Sequence, residues 1–330
     1  MLAARLYGPR DLRVEEVPEP RGGDGWLVVR MIAVGICGTD RAFYTGSYRL
    51  FKVPLIPGHE AVGFVEEGPA QLRGRLVTTE INLILDPTHP CVREAYTHCP
   101  PVVRRVLGID FDGAMAEKFL TRVDAVHPVE GVEPPERAVY VEPLAAVLRA
   151  FRLEPLPPRS RVAVVGTGAL ALLAAQVARL HGAEVTVYAR RGSPKARLFE
   201  RLGFHVELVE ELDLEGIKWS GLGYDAVFEA TGTPEGLNTA IAIAKPLARI
   251  YAKSTHGAPT PIDSTVAVVK ELRVIGSRCG WRRDFEEAIG LLRRGEIETP
   301  ITAAYPLRRA REAFERSLER DAFRVIVTGA

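Results

Sequence analysis

The sequence predicts an α/β protein whose first domain is β-rich and whose second is a doubly wound parallel sheet. Three observations carry that prediction. Short β-rich runs punctuated by glycine and proline fill residues 1 to 144. An apolar run, Arg161–Val165, leads through Gly166-Thr167-Gly168-Ala169-Leu170-Ala171 into an Ala/Leu-rich stretch ending at Leu180. Beyond it strand-like and helix-like segments alternate, as they do where crossover helices join parallel strands.

At 330 residues the chain is long enough for two cores. Lys and Arg number 43 against 42 Asp and Glu, so no charge surplus points to nucleic acid or an anionic membrane. No apolar run approaches the roughly 20 residues of a membrane span. Met1 to Pro9 lack the apolar core of a secretion signal, and a soluble cytoplasmic protein is expected. Cys37, Cys91, Cys99 and Cys279 are too few and too scattered for a secreted disulfide scaffold. The only amide side chains are Asn82, Asn238, Gln71 and Gln176, and Arg far exceeds Lys, a composition expected of a heat-adapted chain.

Taken in order, residues 1 to 30 alternate apolar and polar positions, broken by Gly8-Pro9, Pro18, Pro20 and Gly22-Gly23. Leu27–Val34 is β-rich, and Ala61–Glu66 and Arg75–Thr79 continue the strand pattern. Between these runs lie Gly35-Ile36-Cys37-Gly38-Thr39-Asp40 and Pro57-Gly58-His59-Glu60. Cys37 and His59 offer the thiolate and imidazole that Zn²⁺ prefers. An isolated Cys or His is more often a core residue or simply hydrogen-bonded. Two such motifs in this order, followed by the features below, outweigh that reading. Thr39 adds a hydroxyl, and Asp40 and Glu60 add carboxylates able to orient a ligand. A catalytic zinc needs a third protein ligand from elsewhere in the chain.

Phe43, Tyr44, Tyr48 and Phe51 fit two readings equally: lining an apolar substrate pocket, or packing the domain. Residues 81 to 120 hold Cys91 and Cys99 with His89 and His98 nearby, then return to strand-like chain at Asp112–Phe119. Val141–Ala150 has helical spacing and begins at a carboxylate, Glu142; Pro155, Pro157 and Pro158 close it.

The turn at Gly166 is a dinucleotide-binding fingerprint, because a buried strand precedes it and a helix follows. Gly166 permits the tight turn, Gly168 admits a pyrophosphate, and Ala171 keeps helix and strand close, with the phosphates at the helix N-terminus near Thr167, Ala169 and Leu170. Glu184–Ala189 is the next strand. Where NAD-binding folds place an acid for the ribose hydroxyls, this chain has Arg190-Arg191, which would pair with a 2′-phosphate. NADP(H) is therefore expected in preference to NAD(H). Strands at Ala226–Gly232 and Ala248–Ala252 flank a helix from Pro234. After residue 273 come Val274–Gly280, a helix from Asp284, another over Leu307–Leu318, and a last strand, Phe323–Thr328. This tail is expected to rejoin the first domain, giving 1–144 with 273–330 and 145–272.

The order of these motifs resembles that of zinc-containing medium-chain dehydrogenases/reductases, the alcohol and polyol dehydrogenase family, over nearly the whole chain. The resemblance implies a GroES-like catalytic domain plus a Rossmann cofactor domain. It implies one catalytic zinc held by Cys37, His59 and Glu142, with Glu60 as a possible alternate ligand. Asp40 would support His59, and Thr39 would bond the substrate oxygen as the first proton-relay group. Thr231 would face the cofactor, the backbone at Ser277 to Cys279 would hold its carboxamide, and Arg324 would lie near the pyrophosphate. The substrate would be a small alcohol or carbonyl compound. The subunits would form a homodimer or homotetramer, partly by pairing edge strands.

Two departures stand out. Members with a structural zinc carry four cysteines after the Gly-His-Glu motif; here Leu85 and Thr88 fall on the first two positions and Cys91 and Cys99 on the last two. Leu85 cannot be a ligand, so no structural zinc is expected. Cys91 and Cys99 are left as a disulfide or as thiols, with a metal site drawn from His89, Cys91, His98 and Cys99 less favoured. Ala42 stands where some liver-type enzymes have a relay histidine. Three functions compete: an NADP(H)-linked alcohol dehydrogenase or carbonyl reductase, favoured by the aromatic segment; a sugar or polyol dehydrogenase, favoured by Glu142-Pro143; and a zinc-free quinone reductase or non-catalytic NADP-binding protein, disfavoured by Cys37, His59 and Glu142 together.

Overall fold

The computed structural model describes residues 1–209, 223–257 and 259–329. The chain divides into two compact units, Met1–Ala145 with Cys279–Ala330, and Ala146–Arg278.

In the first unit, β1 (Leu2–Gly8) and β2 (Asp11–Glu16) form an antiparallel hairpin. The main sheet is built around β3 (Trp26–Gly35), a run of Val, Ile, Met and Ala that pairs with β4 (Glu60–Glu67), and with β8 (Lys118–Arg122). Beyond β4 lie β5 (Leu76–Thr79) and β9 (Val126–Pro128). β6 (Asn82–Ile84) and β7 (Arg104–Val106) make a separate two-stranded ribbon. On the other side of β3 the C-terminal strand β17 (Val325–Thr328) is antiparallel to it, and β16 (Ala303–Pro306) is parallel to β17. Leu27, Val29 and Met31 of β3 are buried with Phe119 and Phe314 in one apolar cluster.

The helix Gly38–Thr45 leaves the end of β3 and stops at Gly46, whose φ of 81° closes the last turn through its N–H to the Phe43 carbonyl. Its aromatic residues pack the unit. Phe43 and Tyr44 are fully buried; the Tyr44 ring lies 5.0 Å from Phe314, and its hydroxyl donates to Glu315 Oε1 at 2.6 Å. Tyr48 and Phe51 lean on Phe43 with ring centroids 5.7 and 6.3 Å away. Of the two readings of this segment, packing accounts for Phe43 and Tyr44.

Cys91 and Cys99 are joined as a disulfide, with Cα atoms 5.6 Å apart. The loop they close holds Tyr96, which donates to Glu80 Oε2 at 2.6 Å, and Thr97, whose hydroxyl accepts from Trp281 Nε1 at 3.1 Å.

The second unit is one parallel sheet. Its strands are β10 (Arg161–Val165), β11 (Glu184–Arg190), β12 (His205–Val209), β13 (Tyr224–Glu229), β14 (Ala244–Ala252) and β15 (Arg273–Gly276), ordered β12-β11-β10-β13-β14-β15. The order reverses between β10 and β13, the switch point of a doubly wound fold. Val162–Val165 are buried because helices cover parallel sheets on both faces. The expected return at residue 273 is displaced: β15 bonds to β14 along its length and belongs to this sheet, so the tail leaves after Arg278. The physical reason is that a strand-forming Arg-Val-Ile-Gly finds its main-chain partners on the open edge of β14. No helix among the described residues is long and apolar enough to cross a membrane.

Candidate metal centre and cofactor turn

Cys37 sits where β3 ends and the helix Gly38–Thr45 begins; His59 and Glu60 sit where the chain enters β4. Because β3 and β4 are antiparallel, with Gly35 opposite Glu60, the two motifs meet. One ligand atom from each of Cys37, His59 and Glu60 falls within 4.8 Å of the others. Glycine is required at two places. A Cβ on Gly35 would collide with the Glu60 carboxylate, and one on Gly58, whose φ is 94°, would come 2.6 Å from Val34.

Asp40 is fully buried and ties the two motifs together: one carboxylate oxygen accepts the Cys37 N–H at 2.9 Å, the other the Gly58 N–H at 3.2 Å. Its contact with His59 Nδ1, at 3.9 Å, is electrostatic rather than a hydrogen bond. His59 is buried, and its Nδ1 has no hydrogen-bond partner among the described residues. Burial opposes the charged imidazole, yet the charges of Asp40, Cys37 and Glu142 prevail and hold its pKa well above the ordinary value. Burial, followed by the charge of Glu60, pushes the Cys37 thiol up. A sulfur, a partly orphaned imidazole and a carboxylate that repel or strand one another are relieved together by a divalent cation. The donor set suits zinc.

Glu142, buried at the start of the helix Val141–Leu153, lies outside this three-residue cluster but close enough to bias His59. Thr39 is half-buried in the first turn of the helix Gly38–Thr45, between Cys37 and Asp40. Arg324, expected near a pyrophosphate, is buried against Glu60, donates to the Ile36 carbonyl at 3.2 Å and stacks on Tyr140 with its guanidinium carbon 5.1 Å from the ring centroid. A guanidinium without water needs an anion, and Glu60 supplies it. Arg41, which sequence reasoning missed, lies within electrostatic range of Cys37 and donates to the Ser317 carbonyl at 3.1 Å.

In the second unit Gly166 has φ 121°, and a Cβ there would stand 2.6 Å from the Ala230 carbonyl. Gly168 precedes the helix Ala169–Leu180, and a Cβ on it would meet nothing within 4 Å among the described residues. Ala169 and Leu170 are half-buried, and Ala171 is fully buried against the sheet. Thr167 Oγ1 lies 3.3 Å from Ser193 Oγ, linking the turn to the loop that begins with Arg190 and Arg191, both exposed at the tip of β11. Thr231 stands just past β13, bonded to Glu229; the Ser277 carbonyl accepts from Lys253 Nζ at 3.0 Å. Cys279, in the first unit, accepts from Asn82 Nδ2 at 3.1 Å. Sequence reasoning missed Glu229, Lys253 and Ser254. Their one legible signal was a carboxylate ending the apolar strand Ala226-Val227-Phe228-Glu229.

Family models match twice: residues 23–131 fit the alcohol dehydrogenase GroES-like domain, and residues 169–294 fit the zinc-binding dehydrogenase model. The chain is 34% identical to glucose 1-dehydrogenase of Thermoproteus tenax, over 93% of each protein. It is 26% identical to sorbitol dehydrogenase of Bacillus subtilis, over 97% of this chain and 94% of that one. Among solved structures, one described as a zinc-binding dehydrogenase from Sinorhizobium meliloti 1021 bound to NADP superimposes with a TM-score of 0.87 at 28% identity, covering 99% of this chain and 98% of that chain.

Proposed function

The chain belongs to the zinc-type alcohol and polyol dehydrogenase family, and from that premise we propose an NADP(H)-preferring enzyme that interconverts a hydroxyl-bearing carbon and its carbonyl. The observation that carries the reading is the convergence of Cys37, His59 and Glu60 around one point beside buried Asp40. Bound zinc would supply Lewis acidity toward the substrate oxygen, and bound nicotinamide would supply or accept the hydride.

Cys37 and His59 hold the metal with a carboxylate from Glu142, Glu60 serving as the alternate ligand. Arg324 holds Glu60 by its charge, which makes Glu60 a ligand that can be withdrawn. Asp40 fixes the spacing of Cys37 and Gly58 and so of the two ligands. Thr39 holds the substrate oxygen by a hydrogen bond and passes its proton outward. Gly166 to Leu170 receive the pyrophosphate. Arg190 and Arg191 pair with the 2′-phosphate, a preference supported by the NADP in the Sinorhizobium meliloti structure. Thr231, Ser277 and Cys279 serve the nicotinamide end.

Of the two substrate classes, sugars and polyols have the better support. Phe43 and Tyr44, which favoured apolar alcohols and carbonyls, are occupied by core packing, while Glu142-Pro143 and the glucose and sorbitol dehydrogenases among its relatives favour polyhydroxylated substrates. Self-association is proposed at the open edge of β15, where Val274, Val268, Val269 and Leu247 are all exposed. The test is oxidation of aldoses and polyols by NADP⁺ beside reduction of apolar ketones by NADPH, each repeated with NAD(H) and after chelation. Turnover that survives metal removal, or that prefers NADH, refutes the proposal.

A further inference from the structure

Two buried charges sit at the carboxyl ends of the second unit's strands, beside the cofactor turn and away from the metal centre's own residues. Glu229, 2% exposed, is the last residue of β13. Its carboxylate accepts from Thr231 N at 2.8 Å, Thr231 Oγ1 at 2.7 Å, Ser254 N at 3.3 Å and Ser254 Oγ at 2.7 Å. Ser254 Oγ in turn accepts the Gly232 N–H at 2.8 Å. The neighbouring side chain, Lys253, is 8% exposed, and its ammonium donates to the carbonyls of Ala146 at 3.1 Å, Ser277 at 3.0 Å and Arg278.

Lys253 and Ser254 are consecutive, so one dipeptide past β14 ties the loop after β13 to the chain after β15. The fingerprint turn joins the same network by contact, since Gly166 packs on the Ala230 carbonyl. No Cβ fits at Gly236 either, because Thr231 and Glu229 occupy its space. Open parallel sheets bind ligands at this rim. Burying a charge is costly unless it is fully hydrogen-bonded, and apolar packing of equal volume is often as stable. Two such charges at the ligand-binding rim, both spent on holding loops, are therefore organised for binding.

We propose that Glu229 and Lys253 are positioning residues that preorganise the nicotinamide half of the cofactor site, through Thr231 and Ser277 respectively. This rests on the NADP(H) reading above. It goes beyond that reading in assigning the order of the rim to two residues that need not touch the cofactor.

The test compares two probes on the full chain by titration calorimetry: NADPH, and 2′-phospho-ADP-ribose, which lacks the nicotinamide. Lys253→Met and Ser254→Ala weaken NADPH about tenfold, as loss of a charge-assisted hydrogen bond does. Binding of the nicotinamide-free fragment stays at the wild-type value, and Lys253→Arg recovers part of the loss. Ser254→Ala removes only a hydroxyl, so it carries the comparison should Lys253→Met fail to fold. Equal weakening of both probes, or of neither, overturns the proposal. A wild-type protein that binds neither probe overturns the cofactor reading, and the positioning role with it.

Discussion

Glu60 and Glu229 are both buried carboxylates, each just beside a strand end, yet they are in opposite condition. Glu229 is saturated: four donors from two loops surround it. Glu60 pairs with Arg324, and around it His59 Nδ1 and Arg324 Nε lack hydrogen-bond partners among the described residues. Native interiors leave few buried polar atoms unpaired, so a saturated carboxylate marks a scaffold, and a carboxylate among unpaired neighbours marks a place where something binds. The second unit spends its buried charge on holding loops. The first keeps its own in reserve.

Four substitutions sharpen or break this contrast. The largest effect belongs to Cys37→Ser, which removes the sulfur donor: metal content by atomic emission and turnover should both vanish while the circular dichroism spectrum is kept. Glu60→Gln still accepts from Arg324, so the fold should survive and metal affinity should fall about 10- to 100-fold, as when a group supporting a metal site is lost; unchanged affinity would place Glu60 with Glu229 as scaffold. Glu229→Ala strands several donors and should cost about 2 kcal/mol in urea unfolding, with metal content untouched. The smallest effect is at Glu154, whose side chain is bonded by Arg273 and Arg249 and held below the usual carboxylate range. A lowered folded pKa gives stability that is present above the unfolded value and lost as pH falls through the folded one. Glu154→Gln should therefore lower stability slightly at neutral pH and converge on the wild type in acid, flattening the acid limb of the curve; an equal loss at all pH values would mean that the charge plays no part.

What was legible in the sequence is what spacing encodes. Cys37, His59 and the turn at Gly166 to Leu170 are local motifs whose geometry follows from a few consecutive residues, and the strand–turn–helix around Gly166 formed where the pattern placed it. What was not legible depends on partners far apart in the chain. Arg324 meets Glu60 across 264 positions, and no periodicity announces such a pair. Lys253 reads as an ordinary exposed lysine until its ammonium is seen among carbonyls. The aromatic segment was ambiguous because a ring beside a metal motif and a ring beneath a helix have the same sequence signature; only Phe314, brought by the tail, decides the matter for Tyr44. The position of β15 turned on which edge offered hydrogen bonds, a question that residue preference does not answer.

The pairing of β17 with β3 bears on how the protein is made. The second unit is one continuous stretch, Ala146–Arg278, and all of it leaves the ribosome before the first unit is complete. The first unit must wait: the Ala33–Gly35 end of β3 lacks one partner strand until Val325–Thr328 has been synthesised, and Glu60 lacks Arg324 until it arrives. Domains tend to fold as units as they emerge. The nascent chain therefore carries a finished parallel sheet while the antiparallel sheet of the first unit is still incomplete, and Arg324–Thr328 are what complete it. Deleting Val325–Thr328 would remove little mass and leave Ala33–Gly35 without that partner strand.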